Sequence, residues 1–490
     1  MRLSRLCFAI TLLAIALAAC SGGGSTPGMP GNVLTRAVPS STPRSVSSTA
    51  PTPVPSGDPT VPPTVLAHSH TMEAANGTSA QYNSSFGFGN WGYVKPYEDI
   101  VMAGTGQTYQ NVIAGGIASA AYYDFSACSG SGLFQPNQYA SPDCTNWPGN
   151  AFYAQPGEPG NILQSGGTIT QLVGDPGSSA LQQSVTAELT GIQQSTPQTM
   201  IEFDDASPPD EASAGGDRMC WGLGQQVQGG WSCADAPGGT ASSPWGATFN
   251  RQEWIAGYVS IMANSPIPVM MNSIGPGLKN GTQAAGVTAV LQSPTAWGAS
   301  CDWCFYHQNK WLYTSPLLDY QLDDMIDIIA QGKNVALVAE SSDDVPSRMR
   351  ALALEMLVYD PNHSWIWGSA CGGSSYINAC PESAWTFYGP LRGYPRSTND
   401  LRDPAGNGGY VREFAYCYAW GKPVGPCATV VNPDTYHSHP LPKTTGTYKH
   451  TAQIFGDSLC ACYGSSGSVG ELGLAAPSTM PAASQFILFQ

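Results

Sequence analysis

The sequence predicts an α/β fold: a (β/α)8 TIM-type barrel over residues 64–395, followed by a small antiparallel β domain over 396–490. Three observations predict it. Short apolar runs alternate with amphipathic helical stretches, the pattern of a parallel sheet covered by helices. Two of those runs close on carboxylates, Gln198-Thr-Met-Ile-Glu-Phe-Asp204-Asp205 and Lys333-Asn-Val-Ala-Leu-Val-Ala-Glu340. Past Pro395 the pattern becomes β-rich. A strand that stays apolar until its last residue suits a barrel whose cleft lies at the carboxyl ends of its strands. A carboxylate buried mid-strand is costly, whereas one at the strand's end faces a cleft and is free to react.

The elements follow in order. Residues 65–68 read as the first strand. Residues 112–114 and 118–123 give the second, ending at Asp124. Segments 151–154 and 169–173 mark the third region, and 179–194 an amphipathic helix. The fourth strand is 199–205, followed by a helix at 251–264. The fifth is 267–272, with Pro266 and Pro268 at its start, where proline is tolerated. The sixth begins at 287–291 and continues toward Asp302. A helix at 317–331 leads to strand seven at 334–340, and a helix at 347–359 to strand eight at 364–368. Segments 410–418 and 427–433, joined by Trp420-Gly-Lys-Pro-Val-Gly-Pro, read as a hairpin opening the β domain.

The first residues stand apart. Arg2 and Arg5 precede an apolar stretch from Leu6 to Ala19, too short for a spanning helix of a mature protein. The stretch ends Leu17-Ala-Ala-Cys20, which resembles a bacterial lipoprotein signal. That resemblance implies a lipidated Cys20 and a lipid-anchored protein exported to the bacterial cell envelope; an ordinary secretory signal is the alternative. Residues 20–63 are rich in Ser, Thr, Pro and Gly and read as a disordered tether.

Residues 1–65 hold four of the 19 basic and one of the 34 acidic residues, leaving 15 basic against 33 acidic, a net of −18. That excludes nucleic acid and other polyanions as expected partners. Sparse charge with 13 Trp and 22 Tyr suits neutral carbohydrate, whose ring faces stack on aromatics, although core packing accounts for most aromatics. Membrane contact is expected through the N-terminal lipid alone.

Of 14 cysteines, Cys7 lies in the signal and Cys20 is the lipid site. The even remainder suggests disulfides in an exported chain, with local pairs 128–144, 220–233, 371–380 and 417–427. Cys301-Asp-Trp-Cys304 has no thioredoxin-like context, and no His spacing supports zinc. Cys460 and Cys462 are too close for an unstrained bridge to each other.

Asp175-Pro-Gly before a helix, then a strand ending Glu202-Phe-Asp204-Asp205-Ala206, then Met-Met-Asn272 and the Val431-Asn432-Pro433 hairpin resemble the glycoside hydrolases of the α-galactosidase/dextranase-like barrel superfamily. The resemblance covers most of residues 64–440 and rests on the order of these motifs. It implies a nucleophile at the end of strand four and an acid/base on strand six. The chain departs from it at the second acid, where Asp302 and Glu340 compete.

The chemistry is stated from the residues as well. Glycoside hydrolysis needs two carboxylates, one to attack the anomeric carbon or position water and one to protonate the leaving oxygen. Neighbouring strand residues point to opposite faces, so Asp204 and Asp205 divide roles; the reading favours Asp205 as nucleophile and Asp204 as an orienting acid. A loop or helix cap is the alternative for either. Asn272, Asp124, His70, Trp365 and Trp367 are candidates for sugar binding, with core packing expected for at least one tryptophan. The expected enzyme is a retaining glycosidase with no cofactor and no metal. His68, His70, His437 and His439 leave open a metal-dependent hydrolase. No Gly-x-Ser-x-Gly elbow supports an esterase. A non-catalytic glycan-binding surface lipoprotein is the rival from another class.

Overall fold

The computed structural model describes residues 71–74, 99–102, 106–123, 127–128, 148, 154–155, 158–159, 164–165, 168–169, 172–173, 176–203, 225–227, 230–232, 240–242, 248–272, 289–301, 306–307, 310–311, 317–337, 345–367, 385–419, 422–452 and 472–490. Eight parallel strands close into a barrel. They are β1 (Thr71–Ala74), β2 (Ile100–Met102), β3 (Ala118–Tyr123), β4 (Met200–Phe203), β5 (Val269–Asn272), β6 (Ala296–Cys301), β7 (Asn334–Leu337) and β8 (Ser364–Trp367). Each pairs with the next, and β1 returns to β8 through Thr71↔Ile366 and Met72↔Trp367.

Helices α1 (Gly106–Ala114), α2 (Ser179–Ser195), α3 (Arg251–Ala263), α4 (Leu317–Ala330) and α5 (Val345–Val358) precede β3, β4, β5, β7 and β8. The start of α2 is set by Ser178, whose hydroxyl accepts from the Ala180 N–H at 3.2 Å and satisfies one otherwise orphaned donor. Leu181, Val185 and Leu189 recur every fourth residue and bury one face of this helix. Its last turn ends on the Thr196 N–H, bonded to Ile192 O at 2.8 Å. Next to it, α3 presses on the preceding turn. A Cβ at Gly257 would fall 1.9 Å from Pro176 O, so only glycine permits this approach.

Strand alternation separates two layers. Ala121, Tyr123, Ile201, Phe203, Val269, Met271, Ala299, Val335 and Leu337 pack with helix residues such as Leu189, Tyr258, Leu322 and Leu357. The residues between them form a second cluster made of strand residues alone: Ile100, Met102, Ala120, Met200, Met270 and Ala336, with Ala118, Trp297 and Trp365 against it. This second set is the barrel interior, filled by side chains.

A six-stranded sheet follows, mostly antiparallel hairpins, in the order β9-β10-β11-β14-β12-β13. Its strands are β9 (Trp385–Pro390), β10 (Tyr410–Ala419), β11 (Lys422–Asn432), β12 (His450–Ala452), β13 (Leu472–Ala475) and β14 (Ser484–Phe489). One face packs on α5, where Leu352, Ala353, Met356 and Tyr359 meet Phe387, Phe414, Ile487 and Phe489. Thr429 Oγ1 donates to Ala353 O at 2.7 Å. The sheet is also joined to α4: Asp319 accepts from the Tyr410 hydroxyl and pairs with Arg402 at 2.6 Å, while Asp323 accepts from the Thr398 N–H at 2.6 Å. Cys417 and Cys427 form a disulfide between β10 and β11, as the local pairing predicts.

The first described strand of the barrel is Thr71–Ala74, and residues 65–68 lie outside the described residues. Three strand assignments need correction. Val112 belongs to α1, and 118–123 is the third strand; the second is the three-residue Ile100–Met102, too short to carry a period. Segments 154–155, 168–169 and 172–173 form two-residue antiparallel pieces outside the barrel. Val290 and Leu291 are buried ahead of strand six, which is Ala296–Cys301.

Candidate functional site

The carboxyl ends of the strands are where a β/α barrel does chemistry. The four residues of β4 are all buried. Ile201 and Phe203 face the helices; Met200 faces the interior, and Glu202 shares its side. Ser300 of β6 faces the same interior, since its Oγ donates to Glu202 Oε1 at 2.9 Å. Both residues are almost fully enclosed, at 3% and 1% exposure. Sequence reasoning took Glu202 only as part of a motif and passed over Ser300. The available signal was a polar residue two places before Asp204 in an otherwise apolar strand.

Beneath this pair the interior is apolar. Trp297 of β6 and Trp365 of β8 pack with ring centroids 5.2 Å apart, within the cluster of Met200, Met270 and Ala336. Trp365 is thereby a packing residue of the barrel floor, the role left open for one of the two tryptophans. β6 and β7 run unusually close at this level: a Cβ on Gly298 would lie 1.9 Å from Asn334 O.

Trp367 and Asn272 end β8 and β5, and Asn272 registers with Ser300. Asp204, Asp205, Asp302, Glu340, Asp124, His70, His68 and Cys20 lie outside the described residues.

A cavity of about 470 Å³ opens at the opposite end, lined by Pro266, Pro268, Trp297, Lys333 and Asn334 at the amino ends of β5, β6 and β7. Lys333 Nζ donates to Ala296 O at 2.8 Å, and burial lowers its pKa. This is the stability face of such a barrel, not its chemical face.

His437 and His439 sit on the loop after β11, and both contact Asp434 Oδ2, at 3.0 and 3.1 Å. The Tyr436 N–H, then the two histidines, hold the Asp434 carboxyl well below its usual range. Among the described residues no group of three or more His, Cys, Asp or Glu is arranged to hold a metal ion.

No family model matches this chain, and no curated protein matches it. Solved structures show distant similarity to it. The GH36 alpha-galactosidase AgaA from Geobacillus stearothermophilus is 9% identical with a TM-score of 0.37, over 86% of this chain and 55% of that one. The glycoside hydrolase domain of PelA from Pseudomonas aeruginosa is 11% identical with a TM-score of 0.35, over 63% of this chain and 96% of that one. The galactosidase domain of the alpha-galactosidase-sucrose kinase AgaSK is 7% identical with a TM-score of 0.39, over 86% and 54%. The chain thus spans little more than half the length of the galactosidases it matches. Likenesses this distant establish neither a family nor an activity.

Proposed function

We propose that this chain is a glycoside hydrolase acting on a neutral glycan, with carboxylates presented at the carboxyl ends of its barrel strands. The observation that carries this reading is the frame of the strand alternation. Met200 faces inward on β4 and Glu202 shares its side, so the next position of that frame in the sequence is Asp204. The same count runs from Ser300 to Asp302, from Ala336 through Val338 to Glu340, and from Ala120 through Tyr122 to Asp124. In the sequence Asn272 follows Met270, and Trp367 follows Trp365, by the same two residues. Asp205 takes the other parity of that count in the sequence, and the proposal takes Asp204 as the nucleophile where the sequence alone favours Asp205.

In this reading Asp204 attacks the anomeric carbon, and Asp302 or Glu340 protonates the leaving oxygen and then activates water, with retention of configuration. The protonating acid needs a raised pKa, which an apolar barrel interior favours. A lipid on Cys20 and export to the cell envelope complete the proposal.

The experiment compares the parent with Asp204→Asn and Asp205→Asn on 4-nitrophenyl glycosides and neutral oligosaccharides. Asp204→Asn is expected to lower kcat by a thousandfold or more, about 4 kcal/mol of barrier, with melting unchanged. Asp205→Asn is expected to lose far less. If both variants keep near-parental turnover, the strand-four assignment fails. If the parent binds a glycan but cleaves none, the chain is a binding protein.

A further inference from the structure

The Glu202–Ser300 bond joins strands that are not neighbours. β5 lies between β4 and β6: Glu202 registers with Met270, Met270 with Gly298, and Asn272 with Ser300. The link is therefore outside the backbone ladder and passes over β5 within the barrel, between residues 98 apart in the chain. Alternate strands of such a barrel contribute to one interior layer, and a β4–β6 pair fits that rule.

The layer's place matters. Glu202 registers with Met270 and Ser300 with Ala336, and both partners belong to the apolar interior cluster of Met200 and the two packed tryptophans. A buried carboxylate is held in one geometry by its hydrogen bonds, and the Ser300 hydroxyl supplies one of them from another strand. The contact partner is fixed from its other side as well: Gly298 holds β6 tightly against β7 two residues before Ser300.

We propose that Glu202 and Ser300 are positioning residues, whose hydrogen bond is a clasp that sets the separation of the carboxyl ends of β4 and β6. Asp204 and Asp302 each follow the clasp by two residues in the sequence. The clasp thus acts through the carboxylates it spaces and touches no substrate. It rests on the glycosidase reading. Because misplacing a reacting group by about an ångström costs on the order of a hundredfold in rate, the clasp should show in kcat.

The test measures kcat, KM and melting for Ser300→Ala, Ser300→Thr, Glu202→Gln and the double variant Ser300→Ala/Glu202→Gln, on a 4-nitrophenyl glycoside that the parent cleaves. Ser300→Ala is expected to lower kcat about tenfold or more while KM stays within about twofold. Ser300→Thr keeps the hydroxyl and is expected to retain most of the rate. Glu202→Gln still offers an amide oxygen to the hydroxyl and is expected to stay within about threefold of the parent. The double variant is expected to match Ser300→Ala, since one interaction is lost only once. Parental kcat in Ser300→Ala overturns the clasp, and so does a loss that tracks only the fraction unfolded. A Glu202→Gln loss as large as that of Ser300→Ala also overturns it, because charge and not spacing would then be at work. A parent that cleaves no glycan, or an Asp204→Asn variant with full turnover, overturns the glycosidase reading itself. An inactive Asp204→Asn beside a normal Ser300→Ala sinks the clasp alone.

Discussion

Arg412 of β10 caps the end of α5 through Leu357, with Nη1 2.8 Å from the Leu357 carbonyl oxygen and 3.3 Å from that of Met356. The guanidinium is buried, lies 4.9 Å from the Phe414 ring centroid and 5.1 Å from that of Tyr394, and has its pKa drawn down to about 10 by desolvation. It remains charged at neutral pH and meets the negative end of the helix dipole. It therefore fastens the sheet to the barrel at a point where two carbonyls would otherwise lack a donor.

Replacing Arg412 with Met keeps the volume and removes that donor. Arg412→Met is expected to destabilise the fold by about 1–3 kcal/mol, the cost of leaving buried carbonyls unpaired. Denaturant unfolding checks this, and an unchanged midpoint would count against the capping role.

Three glycines make a graded set. Gly257→Ala and Gly298→Ala each push a Cβ into a backbone oxygen at 1.9 Å, and each is expected to cost about 1–3 kcal/mol or more. Gly191 lies within α2 with nothing within 4 Å of its would-be Cβ, so Gly191→Ala is expected to stabilise by about 0.5–1 kcal/mol. Thermal melting of the three variants gives the order directly.

Asp324 on α4 is fully buried, and desolvation, followed by Asp327 and Asp323, raises its pKa to about 8. The unfolded residue ionises near pH 4, so between roughly pH 4 and 8 the folded state holds a proton that the unfolded state has lost. Its contribution to stability is therefore full below about pH 4 and declines as pH rises toward 8, by at most about 1.4 kcal/mol per unit. Asp324→Asn should flatten that decline, with its largest gain over the parent near pH 8–9. Parallel pH profiles for the two proteins would exclude Asp324 as the source.

The Cys417–Cys427 bridge closes a loop with a sequence separation of 10. Replacing both cysteines with Ala is expected to cost about 2–3 kcal/mol, chiefly by freeing the unfolded chain. The loss should fall on the sheet. Hydrogen exchange should thus rise in β10 and β11 before it rises in β4 or β5.

The parts of the fold legible in the sequence are those where burial imposes a period. Leu181, Val185 and Leu189 announce α2, and the apolar run at 267–272 announces β5. β6 begins after the apolar run at 287–291 that marks it in sequence, because Ala296-Trp-Gly-Ala-Ser-Cys301 has one large apolar residue, Trp297, and a glycine where β7 approaches closely. β2 has three residues and no pattern to detect. For the site, acids at strand ends are visible in sequence, but which of two adjacent acids shares the interior frame depends on where the alternation starts. On β4 itself Met200 and Ile201 pack in different layers, which the sequence does not mark. The Glu202–Ser300 contact spans 98 residues and leaves no local trace.

The order of the second sheet has a consequence for synthesis. β14, at residues 484–489, is an interior strand, flanked by β11 on one side and β12 on the other. While the ribosome still holds this segment, the β9–β11 hairpins and the β12–β13 pair have no seam between them. The edge of β11 stays unpaired until translation has passed residue 489, and until then it is open to strand-adding partners.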